Sequence, residues 1–168
     1  MTDQPDHANW HPAADKTSGK VGLGLSLKGR ALRYLAAREH SRTELERKLK
    51  PHAESVEQLA HLLDDLTAKD FISEARVVES VINRRSAKFG AARVKHELLG
   101  KGLDADLVLE AMEGLKATEV ERAREIWRRK FDGAALDAAG RAKQMRFLAA
   151  RGFSGDTIRK VVASLDED

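Results

Sequence analysis

The chain has 168 residues, enough for one ordinary domain or for a few small repeated units. Its 30 Lys and Arg residues nearly balance 27 Asp and Glu residues, so a third of the chain is charged while the formal net charge is only +3. Cysteine is absent, which excludes disulfides, thiol nucleophiles and cysteine-based zinc sites. There is neither a secretory signal nor an apolar run of the roughly 18 residues that a transmembrane helix needs, so we expect a cytoplasmic protein without a membrane partner.

Residues 1–27 differ in composition from the rest of the chain. They hold two of the three prolines, Pro5 and Pro12, together with Gly19, Gly22 and Gly24, and they show no sustained helical period. Such a segment buries too little apolar surface to offset the entropy lost on ordering. We therefore predict a disordered N-terminal tail.

The following residues carry a series of helix signals. Residues 30–40 have high helix propensity, and Ser41 with Glu44 forms a capping-box pattern that begins a second helix. Pro51 helps to end that helix. Another capping-box pattern, at residues 55–58, begins a third helix.

Four more helices are predicted before residue 132. One follows residues 70–73, Gly90 separates it from a short helix, and Asp104 caps the next one. A third capping-box pattern, at residues 118–121, begins the seventh helix. Apolar residues spaced three and four apart give these helices their buried faces: Leu45, Leu49, Val56, Leu59, Leu63, Leu66, Ala75, Val78, Val81, Ile82, Val94, Leu98, Val108, Ala111, Met112, Leu115, Val120, Ala123, Trp127 and Phe131.

Two helices complete the prediction after a linker at residues 132–136. The first ends near Arg151, and the last carries Ile158, Val161, Val162 and Leu165. The sequence therefore predicts about nine helices, no strand and an all-α fold.

The helices also repeat. Shifting residues 30–49 by 113 positions places Arg33, Leu35, Ala36, Ala37, Arg38 and Ser41 on identical residues, Arg146, Leu148, Ala149, Ala150, Arg151 and Ser154. A shift of 49 places Leu45, Leu49, Leu59, Leu63 and Leu66 on Val94, Leu98, Val108, Met112 and Leu115. Tandem helical units of this kind stack side by side, so we predict an elongated, curved body whose long surface suits a polymeric partner.

Basic and acidic segments alternate along this repeating chain. Residues 28–50 carry eight basic and three acidic residues, whereas residues 54–74 carry one basic and six acidic residues. Residues 84–101 and 122–151 are again strongly basic, and residues 102–116 are acidic. If corresponding helices face the same way, the alternation becomes two opposed faces of opposite charge.

The basic stretches are the candidate binding surface. Clustered Lys and Arg side chains attract a phosphate backbone without reading its sequence, and they also suit an acidic protein surface. The candidate residues are Arg84, Arg85, Lys88, Arg93, Lys95, Lys101, Arg128, Arg129, Lys130, Arg146 and Arg151.

Three stretches resemble the RecX family of bacterial recombination regulators. They are ALRYLAAREHSRTELERKL, LTAKDFISEARVVESVINRR and KFGAARVKHELLGKGL, the last containing the Lys-x-Gly-x-x-Arg-hydrophobic core that ends in Lys-Gly-hydrophobic. The resemblance extends from about Lys28 to the C-terminus. The chain departs from the family pattern where Asp70 replaces the usual Gly before an aromatic residue, and where Val77 replaces an aromatic residue after Arg76.

The resemblance implies three tandem three-helix repeats, at residues 28–70, 71–116 and 117–168. It also implies a partner, RecA and its filament on single-stranded DNA, whose ATPase, strand-exchange and coprotease activities the family limits. We accordingly expect a monomer that docks its basic face on the filament, with weak direct contact to DNA.

Enzymatic activity is not expected. Residues 18–21 lack the upstream glycine and the following Ser or Thr of a phosphate-binding loop, and the glycines do not form a dinucleotide fingerprint. The six histidines are scattered without metal-ligand spacing. We therefore expect no catalytic residue, cofactor or metal.

The alternative function is that of a helix-turn-helix DNA-binding regulator. Residues 147–154, leading into residues 157–160, read as a helix, a glycine turn and a recognition helix. The same description fits one part of a three-helix repeat, so the motif alone does not separate the two functions.

Overall fold

The computed structural model describes residues 24–131, 133, 135 and 137–163. These residues form nine α-helices and one 3-10 turn, with no strand among them. The helices are α1 (Leu27–Ala37), α2 (Arg42–Leu49), α3 (Val56–Ala68), α4 (Glu74–Arg85), α5 (Ala91–Gly100), α6 (Ala105–Ala117), α7 (Glu119–Arg128), α8 (Ala138–Ala149) and α9 (Gly155–Ala163). No helix in this part of the chain is long and apolar enough to cross a membrane.

Some predictions fall on other residues. The predicted tail lies outside the described residues up to position 23, and so do Leu165 and three positions of the predicted linker, Asp132, Ala134 and Leu136. At the end of the predicted tail, the Ser26 hydroxyl accepts a hydrogen bond from the Gly29 amide and caps α1.

The helices form three consecutive three-helix units, which confirms the predicted fold class. Unit 1 contains α1–α3, unit 2 contains α4–α6 and unit 3 contains α7–α9, each around its own apolar cluster. Hydrogen bonds and ion pairs join unit 1 to unit 2, and hydrogen bonds join unit 2 to unit 3. The units therefore follow one another as a linear array. Ile72 packs in the core of unit 1 although it follows the predicted boundary at residue 70, and the boundaries themselves stay a prediction.

Leucine and valine dominate the three cores at the spacing that the sequence predicts. In unit 1 the buried faces of α2 and α3 meet through Leu45, Leu49, Leu59, Leu63 and Leu66. Val94, Leu98, Val108, Met112 and Leu115 take the same places in unit 2. Since these are the residues related by the shift of 49, that shift superposes the second and third helices of consecutive units.

The shift of 113 has a different meaning in the structure. It places α1 and α2, the first and second helices of unit 1, on α8 and α9, the second and third helices of unit 3. In both pairs a serine, Ser41 or Ser154, accepts a hydrogen bond from the backbone amide three residues later. The repeated feature is thus a helix, a short turn and a serine cap, rather than a whole unit.

Most predicted caps are present, but one is wrong. Ser41 and Glu44 form the complete capping box, and Asp104 accepts hydrogen bonds from the first amides of α6. Ser55 caps α3, while the Gln58 side chain binds the amide of Glu54 instead of the cap residue. Thr118 makes no side-chain cap, because its backbone (φ −105°, ψ 8°) is not extended and its hydroxyl instead donates to the Leu115 carbonyl and accepts from Arg122.

Val56 is also not a core residue, contrary to the sequence prediction. It is the first residue of α3, and 73% of its surface is exposed. At this position the side chain lies beyond the stripe that Leu59 begins one turn later. Ala75, another predicted core residue, is exposed as well, and Val77 packs in the core of unit 2 instead.

Candidate functional site

Basic side chains from three separate stretches meet at the boundary between units 2 and 3. Lys88 lies between α4 and α5, Arg129 and Lys130 follow α7, and Arg151 follows α8. They surround a surface cavity of about 340 Å³, which we call the basic groove. Its apolar lining comes from Ala87, Phe89, Ile126 and Phe147.

Arginine side chains stack on the aromatic rings of the basic groove. The Arg151 guanidinium lies 3.7 Å from the centre of the Phe147 ring, and that of Arg93 lies 4.3 Å from the centre of the Phe89 ring. Arg85 lies 5.7 Å from the Phe89 ring. Arg151 donates one hydrogen bond to the Phe147 carbonyl at 3.3 Å, and Arg93 donates one to the Ala150 carbonyl at 3.2 Å. Because a guanidinium has five N–H donors, both groups can still bind a carboxylate or phosphate in a fixed orientation.

Two glycines bring the two sides of the basic groove together. The Gly90 amide donates to the Arg151 carbonyl at 2.9 Å, so the start of α5 touches the turn between α8 and α9. A Cβ atom on Gly90 would lie 2.2 Å from the Gly152 carbonyl oxygen. Gly152 itself has φ of +83°, a left-handed conformation that favours glycine.

A buried carboxylate holds the same junction from the other side. Glu119 accepts hydrogen bonds from the Ala91 amide at 2.8 Å, the Thr157 hydroxyl at 2.7 Å and the Ser154 hydroxyl at 3.1 Å. Burial acts to raise the pKa of Glu119, but these hydrogen bonds outweigh it and lower the pKa below its ordinary value. The charged carboxylate thereby ties the first turn of α5 to the cap of α9.

Arg122 fixes the segment that carries Lys88 and Phe89. Its guanidinium donates to the carbonyls of Ser86 at 2.9 Å and Phe89 at 2.8 Å in unit 2. It also donates to the Leu115 carbonyl at 2.9 Å, so one side chain joins α7 to the connection between α4 and α5 and to the last turn of α6. Unit 3 therefore fixes the position of Phe89, one of the two aromatic residues that line the basic groove.

The junction between units 1 and 2 uses an ion-pair network. The buried carboxylate of Glu44 pairs with Lys101 at 2.7 Å and Arg38 at 3.0 Å, and it accepts from the Ser41 amide at 3.0 Å. The Ser41 hydroxyl donates to the Lys101 carbonyl at 2.6 Å. The Lys101 side chain is only 12% exposed, so the structure places this predicted filament-facing residue inside a junction.

The other predicted residues lie outside the groove lining. Arg84 and Arg85 both pair with Glu97, at 3.4 and 2.7 Å. Lys95 lines a separate cavity with Lys116. Arg128 and Arg146 are exposed on α7 and α8, and neither lines the groove.

Several residues of the site were not predicted. Phe89 and Phe147 each follow a basic residue in the sequence, and this pairing was the available signal for a mixed basic and aromatic surface. Glu44 was assigned to a helix cap, since a capping pattern does not reveal a second partner from another unit, and Glu119 was only an interior position of the pattern at residues 118–121. Arg122 has no local signal, because its carbonyl partners are set by packing.

The charge of the basic groove is only weakly compensated. Arg129 pairs with Glu125 at 3.6 Å on the surface, whereas Lys88, Lys130 and Arg151 have no carboxylate within 4 Å among the described residues. Among those residues there is also no group of three His, Asp or Glu side chains that could hold a metal ion. The arrangement suits the binding of an extended anionic partner.

The predicted helix-turn-helix motif is present, but its second helix is packed inward. Helix-turn-helix proteins read bases with the first residues of the recognition helix. Here Ser154 and Thr157, at the start of α9, bind Glu119, and Thr157 and Ile158 are buried. The start of α9 is therefore part of a junction between units, which disfavours the alternative function.

Models of protein families match both ends of the array. A model described as "RecX, first three-helix domain" matches residues 28–55, and one described as "RecX, third three-helix domain" matches residues 117–162. The second match coincides with unit 3.

Relatives and solved structures agree with these matches. The regulatory protein RecX of Leptothrix cholodnii is 55% identical over 144 residues, which cover 86% of this chain and 92% of that protein. The regulatory protein RecX of Herminiimonas arsenicoxydans is 52% identical, covering 87% and 97%. The crystal structure of RecX from Lactobacillus salivarius shares the fold, with a TM-score of 0.73 at 22% identity, over 84% of this chain and 96% of that one. With its three-helix units matched in sequence and in structure, the chain belongs to the RecX family of regulatory proteins.

Proposed function

We propose that this protein binds RecA, in particular the RecA filament on single-stranded DNA, and limits its ATPase, strand-exchange and coprotease activities. The proposal rests on one observation, the basic groove. Four basic side chains from three separate stretches of the chain surround this single cavity at the boundary between units 2 and 3. A linear array presents a long surface, which suits a filament better than a small ligand. Its regulatory relatives support the same kind of role.

The mechanism is electrostatic docking. Lys88, Arg129, Lys130 and Arg151 would contact acidic groups of the filament, either phosphates of its DNA or carboxylates of RecA. Once docked, the array would span neighbouring subunits and restrain the rearrangements that accompany ATP turnover. In this proposal the protein acts in the cytoplasm as a monomer.

ATP turnover by RecA filaments on single-stranded DNA tests the proposal. We expect the purified protein to inhibit turnover at stoichiometric or lower amounts. The triple variant Lys88→Glu, Arg129→Glu, Lys130→Glu should need at least about ten-fold more protein for the same inhibition. A control with the same change in charge is Arg141→Glu, Lys143→Glu, Lys160→Glu, since these residues are exposed and do not line the groove.

The control should inhibit like the parent protein. If the parent protein leaves ATP turnover unchanged, the proposed function is wrong. If both triple variants lose inhibition equally, total charge rather than the groove is responsible.

A further inference from the structure

A second cavity lies at the boundary between units 2 and 3, and the described residues that line it differ from those of the basic groove. It has a volume of about 390 Å³. Its lining includes Ala92 and Lys95 of α5, Met112 and Lys116 of α6, and Glu119 and Ser154 of unit 3. We call it the junction cavity. An occupant of this cavity would contact two units of the array at once.

The buried part of the junction cavity favours an apolar occupant. Ala91 and Met112 are buried there. The charged carboxylate of Glu119, also buried, already accepts hydrogen bonds from the Ala91 amide and from the hydroxyls of Ser154 and Thr157. Because these polar groups are paired with each other, an apolar side chain can enter without leaving any of them unsatisfied. An anion at the same depth would instead face the Glu119 carboxylate.

Two lysines bring positive charge to the mouth of the junction cavity. Lys95 is half-buried on α5, and Lys116 is exposed on α6. Among the described residues no carboxylate lies within 4 Å of Lys95, while Lys116 pairs with the exposed Glu113 at 3.2 Å. Since an exposed ion pair contributes little to stability, a carboxylate from a partner can replace Glu113. The mouth therefore suits anionic groups that flank an apolar one.

We propose that the junction cavity binds a segment of a partner protein in which an apolar side chain is flanked by carboxylates. The apolar side chain enters the cavity, and the carboxylates pair with Lys95 and Lys116. This is the arrangement of a protein–protein contact in which one buried anchor is surrounded by a polar rim. Nucleic acid fits less well, because none of the described lining residues has an aromatic ring on which a base could stack.

The site goes beyond the proposed function, since it recognises an acidic protein segment without RecA filament or DNA. The basic groove attracts phosphates and carboxylates alike, whereas the apolar part of the junction cavity selects for a protein side chain. Lys95 and Met112 belong to unit 2, and Glu119 and Ser154 belong to unit 3. A bound segment would therefore also hold these two units in one relative position.

Methyl NMR of the full chain, isotope-labelled at its methionine methyl groups, tests the proposal. The chain has three methionines, Met1, Met112 and Met145, of which Met112 lines the junction cavity and Met145 lies exposed on α8. The probe is the end-blocked peptide Gly-Asp-Leu-Glu-Gly. We expect it to move the Met112 resonance saturably and to leave the Met145 resonance in place. The same peptide with alanine instead of leucine should bind at least about ten-fold more weakly, because it buries less apolar surface.

Variants of the chain locate the contact. Ala92→Leu fills the junction cavity from an exposed position of α5 and should prevent binding. Lys95→Gln with Lys116→Gln should weaken binding about ten-fold and make it less dependent on salt. The matched control is Lys143→Gln with Lys160→Gln, which removes two exposed lysines outside the lining and should bind like the parent. Circular dichroism checks that each variant is folded.

The proposal is overturned if the Met112 resonance does not move, if the leucine and alanine peptides bind equally, or if Ala92→Leu binds like the parent. It is also overturned if oligothymidylate moves the Met112 resonance as the leucine peptide does, since nucleic acid would then be the occupant. RecA is absent from this assay, so its failure would leave the ATPase test of the proposed function unaffected.

Discussion

Glu44 is the central residue of the ion-pair network between units 1 and 2. The residue is 5% exposed, and its carboxylate accepts hydrogen bonds from Arg38, Lys101 and the Ser41 amide. Burial acts to raise the pKa of Glu44, but these donors prevail and lower it to about 2. A buried charge with two cationic partners makes the junction sensitive to the loss of any one of them.

The pH dependence of stability tests this network. Because the pKa of Glu44 is lower in the folded chain than its ordinary value of 4.5, its contribution is complete above about pH 4.5 and is lost as the pH falls through about 2. The shift corresponds to about 3 kcal/mol at neutral pH. We expect Glu44→Gln to lower the free energy of unfolding by about this amount at pH 7, and by about 2 kcal/mol less at pH 3.

Urea unfolding at the two pH values measures both quantities. Glu46→Gln is the matched control, because Glu46 is exposed on the same helix and should change the stability little at either pH. A destabilisation by Glu44→Gln that is the same at pH 7 and pH 3 would contradict a lowered pKa.

Asp70 adopts a left-handed backbone conformation, which favours glycine. Its φ is +59°, and its carboxylate and carbonyl both bind Arg76 on the surface. Asp70 replaces the glycine of the family pattern, and it does so at a position where the backbone is left-handed. A left-handed conformation costs a residue other than glycine about 1 kcal/mol, while an exposed ion pair contributes little to stability.

We therefore expect Asp70→Gly to be about as stable as the parent. Asp70→Ala keeps the strain and loses the ion pair, so it should be about 1 kcal/mol less stable than Asp70→Gly. Thermal unfolding of the three proteins measures the difference. Equal stability of the alanine and glycine variants would show that the backbone conformation costs nothing.

Turns between helices build both junctions in the same way. In each case the turn between the second and third helix of one unit lies on the start of the second helix of the preceding unit. Gly102 and Gly152 both have positive φ, and their nearest side-chain neighbours are Thr43 on α2 and Arg93 on α5. The carbonyls before these glycines accept hydrogen bonds from the helix caps Ser41 and Gly90.

Gly90→Ala should disrupt the second junction. The new Cβ atom would lie 2.2 Å from the Gly152 carbonyl oxygen, and backbone atoms on both sides would have to move apart. We expect a loss of about 2–3 kcal/mol in the free energy of unfolding. Gly114→Ala is the control, since its Cβ meets nothing within 4 Å on a helix, and it should stabilise the protein by up to about 1 kcal/mol. A harmless Gly90→Ala would show that this close approach does not exist in solution.

The helices were predictable because their signals are local. Caps such as Ser41 and Asp104, and leucines three and four residues apart, act within a few residues of each other. The contacts between units were not predictable, since Glu119 reaches Ala91 and Arg122 reaches Ser86 across elements far apart in the chain. The candidate residues were found by composition, but only the fold separates those of the groove from a junction residue such as Lys101.

The whole molecule combines an array of three units with an uneven distribution of charge. The net charge of +3 conceals acidic third helices in units 1 and 2 and basic residues on the preceding helices. That these form two opposed faces stays a prediction. The basic groove follows from this distribution, because the cations there outnumber the carboxylates in reach.

Binding to preassembled RecA filaments on single-stranded DNA, measured by anisotropy of the labelled protein at increasing salt, tests the central claim most directly. Electrostatic docking predicts an affinity that falls steeply with salt, since charges are screened over about 8–10 Å at moderate ionic strength. The variant Lys88→Glu, Arg129→Glu, Lys130→Glu should bind at least about ten-fold more weakly and with a shallower salt dependence, while Arg141→Glu, Lys143→Glu, Lys160→Glu binds like the parent. Filament binding by the groove variant that equals the parent's at every salt concentration would contradict the role of the basic groove.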